Sequence, residues 1–224
     1  MKFKNCGTTP LGIYPVVDRT DKLEPLYKCG ITTSQLRVKD LKDNELENEI
    51  IEAIKISEQY NARLFVNDYW ELAIKHGAYG IHLGQEDILE ADIKAIYEAG
   101  IRLGISTHTR DEIKIALDIE PSYVAIGPIY ETQTKKMVYS PVGIPRLKEW
   151  AKMVDYPIVA IAGIKVHNLK EVLDSNAVNG VAMITGVLED GKVSEKKTKE
   201  LIKIFENKFQ FNLKYLYQLF CLLF

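Results

Sequence analysis

A stretch of alternating polar and apolar residues near the N-terminus carries two cations and an amide at a spacing that suits chemistry. In the segment Gln35-Leu36-Arg37-Val38-Lys39, an extended backbone turns successive side chains to opposite faces. Gln35, Arg37 and Lys39 then share one face, while Leu36 and Val38 point to the other. Two cations beside an amide suit an anionic, planar ligand that forms hydrogen bonds. A solvated edge strand, where lysine is common, has the same pattern, so the stretch alone leaves both interpretations open.

Acidic side chains follow the next two predicted strands. Asn67 and Asp68 follow a strand over Arg63–Val66, and Asp87 comes shortly after a strand over Gly80–Leu83. Two carboxylates at neighbouring strand ends suit a hard cation such as Mg²⁺, which also keeps water and substrate phosphate as ligands. Each aspartate is also followed by a glutamate three residues later, a pattern typical of helix N-caps. The spacing therefore leaves a metal pair and two N-caps open.

Hydroxyl groups, glycine and lysine follow the later strands in an order that suits phosphate binding. Backbone amides after the last two strands of a (β/α)8 barrel form a recurrent phosphate site. Two anion sites at one barrel mouth imply two phosphorylated substrates or one long one. No nucleophile and base pair stands out, which favours electrophilic displacement of a diphosphate over covalent catalysis. The candidate residues are Ser106 after the fifth strand, Thr132, Thr134 and Lys135 after the sixth, Gly163 after the seventh, and Ile184 and Thr185 after the eighth.

Composition narrows the class of protein. The 224 residues are 46% hydrophobic with a net charge of −2, so no overall basic field attracts nucleic acid or anionic membrane. Three widely spaced cysteines predict neither a disulfide framework nor a zinc site, and they fit a reducing compartment. The N-terminus lacks the apolar core of a signal peptide, and no window reaches the ~20 apolar residues of a membrane span. We therefore expect a cytoplasmic protein with small-molecule partners.

Short apolar runs alternate with longer amphipathic runs along most of the chain. Eight such pairs without a linker predict one α/β domain, a (β/α)8 TIM barrel over residues 1–208. A doubly wound parallel sheet is the alternative, because strand order is invisible in the sequence. The predicted strands are Ile13–Val17, Ile31–Arg37, Arg63–Val66, Gly80–Leu83, Arg102–Ile105, Tyr123–Ile126, Pro157–Ile161 and Gly180–Ile184. The predicted helices are 21–28, 43–59, 69–76, 88–99, one opening at the capping pattern Thr109–Glu112, 145–153, 168–174 and 194–208.

Two features carry no predicted chemistry. His76, His82, His108 and His167 lack metal-ligand spacing and are predicted to be surface or loop residues. Residues 209–224 form a short apolar C-terminal extension, predicted as a short helix on the barrel or on a neighbouring subunit, so a homo-oligomer stays open.

Taken together and in order, these segments resemble the thiamine phosphate synthase family. The resemblance runs from residue 13 to about residue 208, and seven weak motifs in order make it specific. The motifs are Gln-Leu-Arg-Val-Lys (35–39), Phe-Val-Asn-Asp (65–68), Gly-Ile-His-Leu-Gly-Gln-Glu-Asp (80–87), Leu-Gly-Ile-Ser-Thr-His (103–108), Gly-Pro-Ile-Tyr-Glu-Thr-Gln-Thr-Lys (127–135), Ala-Ile-Ala-Gly-Ile (160–164) and Gly-Val-Ala-Met-Ile-Thr (180–185).

The resemblance implies a barrel enzyme with two phosphorylated substrates and Mg²⁺. It joins 4-amino-2-methyl-5-(diphosphooxymethyl)pyrimidine to a thiazole phosphate, carboxylated or not, and releases diphosphate. Arg37, Lys39, Ser106 and Lys135 are the implied catalytic residues, and Asp68 and Asp87 hold the metal. The implied pyrimidine diphosphate ligands are Gln35, Leu36, Arg37, Val38, Lys39, Asn67, Ser106 and Lys135. The implied thiazole phosphate ligands are Thr132, Gln133, Thr134, Gly163, Ile184 and Thr185.

The chain departs from the family pattern at three positions. Val38 replaces an acidic residue on the face away from the ligand, Ala162 replaces the first glycine of a Gly-Gly pair, and Thr185 replaces a serine. A thiazole tautomerase on the same scaffold and a phosphate-binding barrel without catalysis are the alternative functions. The tautomerase lacks the full diphosphate-binding set, and a sensor needs no metal pair.

Overall fold

Eight parallel strands close into one barrel, and helical segments cover its outside. The computed structural model describes residues 1–132 and 139–222, with side chains through residue 209. Each strand pairs with the next in sequence, and the eighth pairs with the first. The strands are β1 (Gly12–Val17), β2 (Thr33–Leu36), β3 (Arg63–Asn67), β4 (Gly80–Leu83), β5 (Arg102–Thr107), β6 (Tyr123–Ile126), β7 (Ile158–Ile161) and β8 (Gly180–Met183). The predicted TIM barrel is confirmed, and the doubly wound sheet is wrong.

The helices lie outside the barrel. They are α1 (Leu23–Lys28), α2 (Asp43–Gln59), α3 (Trp70–Lys75), α4 (Asp87–Glu90), α5 (Ile93–Glu98), α6 (Arg110–Ile119), α7 (Gly143–Ala151), α8 (Val166–Asp174) and α9 (Glu195–Leu222). A two-stranded hairpin, Leu188–Glu189 with Lys192–Val193, precedes the last helix. Within the described part of the chain, no helix combines the length and the apolar character needed to cross a membrane.

Two predicted helices differ from the structure by more than small shifts of their ends. The single helix predicted over residues 88–99 is two helices, α4 and α5, because the Asp92 side chain accepts a hydrogen bond from the Ala95 amide at 2.9 Å and starts a new helix there. The last helix runs unbroken to Leu222, so residues 209–222 continue it rather than forming a separate short helix.

Apolar side chains pack in two layers, one inside the barrel and one between barrel and helices. The inner layer centres on the rings of Tyr14, Phe65 and Tyr123, whose centroids lie 5.1–6.0 Å apart. Gly104 makes room for this cluster, because a Cβ there would lie 2.1 Å from the Tyr123 ring. Leu36 belongs to the outer layer. Large aromatic rings therefore fill the barrel interior and form the floor of its mouth.

Candidate active site

The Gln35–Lys39 segment runs from the barrel wall to its mouth. Gln35 is only 4% exposed, and its amide lies beside the Tyr14 hydroxyl inside the barrel. The Arg37 amide donates to the Val17 carbonyl at 2.7 Å, which continues the pairing of β2 with β1. Val38, like Leu36, packs in the outer layer, so the predicted alternation of faces is confirmed. Because β2 is paired on both sides, the edge-strand interpretation is wrong.

An ion pair joins the end of β2 to the end of β3. The Lys39 ammonium donates to the Asp68 carboxylate, and the lysine side chain is half exposed while the aspartate is 18% exposed. Asp68 has a left-handed backbone with φ of 66°, and its amide donates to the His82 carbonyl at 3.0 Å. The following helix has Tyr69, not Asp68, at its N-cap position, and no side chain caps it. The N-cap interpretation of Asp68 is therefore wrong.

Asp87 lies at the end of the neighbouring strand. It is the first residue of α4 rather than its N-cap, and its carboxylate accepts a hydrogen bond from the Gly84 amide at 2.8 Å. A side chain at position 84 would meet this carboxylate, because a Cβ there would lie 2.8 Å from Asp87 Oδ2. The N-cap interpretation is wrong here as well. Across residues 1–132 and 139–209, no group of three or more His, Cys, Asp and Glu side chains is arranged to hold a metal by itself.

A chain of hydrogen bonds crosses the barrel interior and ends at Ser106. Tyr14 and Tyr123 hydroxyls lie 2.9 Å apart, Tyr123 Oη lies 2.7 Å from His82 Nδ1, and His82 Nε2 lies 2.7 Å from Ser106 Oγ. Burial lowers the pKa of His82 from 6.5 to about 4, while the negative charge of Asp87 opposes this shift. His82 is therefore a neutral interior side chain, and its prediction as a surface or loop histidine is wrong.

Of this chain, the sequence patterns identified Ser106 but not Tyr14, His82 or Tyr123. The available signal was the alternation of faces along a strand. Tyr14, His82 and Tyr123 each lie next in sequence to a residue that packs in the outer layer, so their side chains face the barrel interior. Burial also raises the pKa of the Tyr123 hydroxyl well above its usual value, so this hydroxyl keeps its proton. Asn67, buried at the end of β3 and in register with His82, completes the inner rim.

The candidate phosphate cradle lies on the opposite side of the mouth. Gly163 follows β7, and Ile184 and Thr185 follow β8, which is the next strand in the barrel. Gly163 has φ of 71°, and a Cβ there would lie 2.6 Å from Tyr130 Cβ, so the turn packs directly on the loop after β6. The structure thus brings together the three residues predicted for this cradle at neighbouring strand ends.

The long loop after β6 is described only at its ends. Thr132 lies on its near side, whereas Gln133, Thr134 and Lys135 lie outside the described residues. Tyr130 donates to Glu171 at 2.8 Å before the gap. Tyr139, on the far side, donates to Glu112 at 3.0 Å. The near end of the loop is therefore hydrogen-bonded to α8 and the far end to α6.

Glu112 also binds the loop after β5. Its carboxylate accepts hydrogen bonds from the His108 amide at 2.6 Å and the His108 ring at 2.8 Å. The His108 ring stacks on Tyr139 with centroids 4.5 Å apart. The predicted N-cap of α6 is confirmed, because Thr109 Oγ1 accepts from the Glu112 amide at 3.2 Å. His108 therefore lies in a loop, as predicted, and its hydrogen bonds to Glu112 help to hold the rim in place.

Comparison with known proteins identifies a family. The model of the family described as thiamine monophosphate synthase matches residues 13–187. Thiamine-phosphate synthase of Serratia proteamaculans (strain 568) is 47% identical over 201 residues, which cover 88% of this chain and 93% of that protein. Thiamine-phosphate synthase of Salmonella typhimurium is 47% identical over 195 residues, 87% of this chain and 92% of that protein.

Solved structures agree with these sequence relatives. Thiamine phosphate pyrophosphorylase from Pyrococcus furiosus superimposes with a TM-score of 0.77 at 28% identity, covering 88% of this chain and 96% of that one. N-(5'-phosphoribosyl)anthranilate isomerase from the same organism reaches a TM-score of 0.65 at 15% identity, covering 88% of this chain and 99% of that one. The second likeness shows a shared barrel fold alone.

Proposed function

The chain belongs to the thiamine monophosphate synthase family of transferases, and we propose that it joins an aminopyrimidine diphosphate to a thiazole phosphate. The products are thiamine phosphate and free diphosphate. One observation carries the assignment to this rim: Gln35 faces the barrel interior, while Lys39 at the mouth pairs with Asp68 of the next strand. An amide inside the barrel and a cation paired with a carboxylate at its mouth thus follow one another in the order that a pyrimidine with a diphosphate tail would need.

The pyrimidine ring fits the inner end of this site. Ser106 ends the interior hydrogen-bond chain, and Gln35 lies beside Tyr14 at its other end. Each offers groups that can bind an amino group or a ring nitrogen. The aromatic rings below them form an apolar floor. The diphosphate tail would then extend outward over Arg37 and Lys39, because these side chains follow Gln35 on the same face.

Asp68 and Asp87 fit a magnesium ion by the chemistry of their oxygen donors. Both carboxylates follow neighbouring strands, and two carboxylates with water and phosphate oxygens match the preference of Mg²⁺. When bound, the metal would supply positive charge to the diphosphate oxygens. A third protein ligand is unnecessary in such a site, since the substrate provides the remaining oxygens.

The rim cations would drive departure of the diphosphate. The bond between the pyrimidine methylene carbon and the diphosphate oxygen breaks, and its electron pair stays with the diphosphate. Arg37 and Lys39 stabilise the charge that builds on those oxygens. The electron-rich aminopyrimidine stabilises the methylene cation, and the thiazole nitrogen then donates its electron pair to that carbon. Such electrostatic groups are typically worth about 3–4 kcal/mol each.

The second substrate would approach from the opposite wall. Gly163, Ile184 and Thr185 offer backbone amides after β7 and β8, where (β/α)8 barrels commonly bind phosphate. Thr132 lies on the loop that packs against Gly163. By their resemblance to the family, Gln133 and Thr134 would add ligands to this phosphate, and Lys135 would add a further cation to the diphosphate. Leu36 and Val38 would contribute backbone groups only, because their side chains face the outer core.

The proposal is tested by measuring diphosphate release with purified protein. Both substrates and Mg²⁺ are mixed, and parallel reactions omit the pyrimidine diphosphate, the thiazole phosphate or the metal. We expect equal amounts of diphosphate and thiamine phosphate in the complete mixture, and loss of thiamine phosphate in each omission.

The same assay separates the alternative functions. A thiazole tautomerase would convert its thiazole substrate without releasing diphosphate, and a phosphate-binding sensor would bind either compound without turnover. Failure of the complete mixture to release diphosphate would therefore contradict the proposed function.

A further inference from the structure

The interior hydrogen-bond chain has a direction, because each of its inner members can donate only one proton. A tyrosine hydroxyl donates one hydrogen bond and accepts others, and a neutral imidazole has one donor nitrogen and one acceptor nitrogen. Tyr123 lies between Tyr14 and His82, at 2.9 and 2.7 Å. When it donates to one neighbour, it must accept from the other. The same holds for the neutral His82 ring between Tyr123 and Ser106.

Only two complete proton arrangements satisfy this chain. In the first, Ser106 donates to His82 Nε2, His82 Nδ1–H donates to Tyr123, and Tyr123 donates to Tyr14, whose own O–H is left to point toward the Gln35 amide beside it. In the second, every one of these hydrogen bonds is reversed. Arrangements that break one of these hydrogen bonds are disfavoured, because an unpaired polar group buried away from water costs free energy.

The two arrangements present opposite groups to the barrel mouth. In the first, Ser106 offers only oxygen lone pairs as an acceptor. In the second, Ser106 offers its O–H as a donor. Tyr14, His82 and Tyr123 therefore set the hydrogen-bonding role of Ser106.

We propose that Tyr14, Tyr123 and His82 are positioning residues that set Ser106 as acceptor when the aminopyrimidine binds. The inference rests on the proposed function, because it takes an aminopyrimidine as the ligand of the inner site. An exocyclic amino group donates, which matches Ser106 as the acceptor of the first arrangement. The carbonyl of a 4-oxo ring accepts, which matches Ser106 as the donor of the second. The chain thus distinguishes an amino group from an oxo group on the ring.

Removal of one hydroxyl breaks the coupling while keeping the aromatic packing. In Tyr123→Phe, His82 Nδ1 loses its acceptor, so the ring proton moves to Nε2 and is donated to Ser106. Ser106 then turns its own O–H toward the ligand, which opposes the amino group and suits the oxo group. Tyr27→Phe is the matched control. It also removes a buried hydroxyl, one that lies 2.6 Å from Ser34 Oγ and outside the barrel interior.

The experiment uses two unreactive probes. Both are pyrimidine diphosphate analogues in which CH₂ replaces the ester oxygen that would leave, one with the 4-amino group and one with a 4-oxo group. Calorimetry gives the affinity of each probe for wild type, Tyr123→Phe and Tyr27→Phe. Nitrogen-15 NMR of the histidine rings shows which nitrogen of His82 carries the proton, with His82→Gln identifying its signals among the four histidines.

The expected results are a change of tautomer and a change of preference. In wild type, the His82 proton lies on Nδ1 with the amino probe and on Nε2 with the oxo probe. In Tyr123→Phe it lies on Nε2 with both, and the ratio of amino to oxo affinity falls about tenfold or more. Tyr27→Phe keeps the wild-type ratio.

Other results would overturn the proposal. If wild-type His82 keeps one tautomer with both probes, the hydrogen-bond chain does not respond to the ligand ring. This measurement uses only the wild-type protein, so it does not depend on the folding of a variant. An unchanged affinity ratio in folded Tyr123→Phe would contradict the coupling while leaving the proposed function intact. If neither probe binds the wild-type protein, this result would contradict the proposed function and, with it, the inferred coupling.

Discussion

Replacing Ala162 by glycine should stabilise the protein, in contrast to most alanine-to-glycine changes. Ala162 has φ of 75° in the turn after β7, a left-handed conformation that costs an L-residue with a Cβ about 1–2 kcal/mol. The turn is held in place, because the Tyr130 amide donates to the Ala162 carbonyl at 3.2 Å. Glycine removes the steric cost but adds about 0.5–1 kcal/mol of backbone entropy to the unfolded chain. The net expectation is a gain of about 0.5–1 kcal/mol.

Ala91→Gly provides the matched control. Ala91 is also partly buried and lies between two helices, but its φ of −74° is an ordinary extended conformation. Glycine there relieves no strain, so we expect a loss of about 0.5–1 kcal/mol. The free energy of unfolding is measured for both variants and wild type by urea denaturation, at a pH where all three are fully folded. Equal destabilisation by the two substitutions would refute the strain argument at position 162.

Three further predictions concern the rim and the interior. Because the folded pKa of His82, about 4, lies below its ordinary 6.5, the unfolded chain binds the proton first as pH falls. The free energy of unfolding should therefore be highest above pH 6.5 and decrease by up to about 3 kcal/mol as the pH falls toward 4. Urea denaturation of His82→Gln should show a smaller decrease. Glu112→Gln should destabilise by about 1–3 kcal/mol in urea, because its carboxylate accepts from His108 and Tyr139; no change would contradict that role. Lys135→Ala should keep the circular dichroism spectrum but lower turnover at least about 10²-fold, and near-normal thiamine phosphate formation would contradict its predicted role.

Much of the barrel could be predicted from local signals in the sequence. The bounds of α2, β4 and β6 agree with the predictions, because α2 has an apolar stripe at helical spacing and β4 and β6 are short, largely apolar runs. The break between α4 and α5 was missed because the apolar pattern continues across it. Its signal was Asp92, a side chain suited to an N-cap.

The roles of polar residues were harder to predict when they depend on distant contacts. Asp68 and Asp87 both have the spacing of N-caps, and only the left-handed backbone of Asp68 and the Gly84 contact of Asp87 decide against that interpretation. His82 gave no local sign of its partners. Tyr123 lies 41 residues away from it in sequence, and the contact between Tyr14 and Tyr123 spans 109 residues. Such contacts exist only once the barrel closes.

The rim cations provide the most direct test of the proposed chemistry. Lys39→Met removes the charge that pairs with Asp68, whereas Lys28→Met removes an exposed charge that pairs with Glu24 on α1. In the diphosphate-release assay with both substrates and Mg²⁺, we expect Lys39→Met to lose about 10²–10³-fold in turnover and Lys28→Met to retain wild-type activity. Equal activity of the two variants would contradict the claim that this rim holds the departing diphosphate.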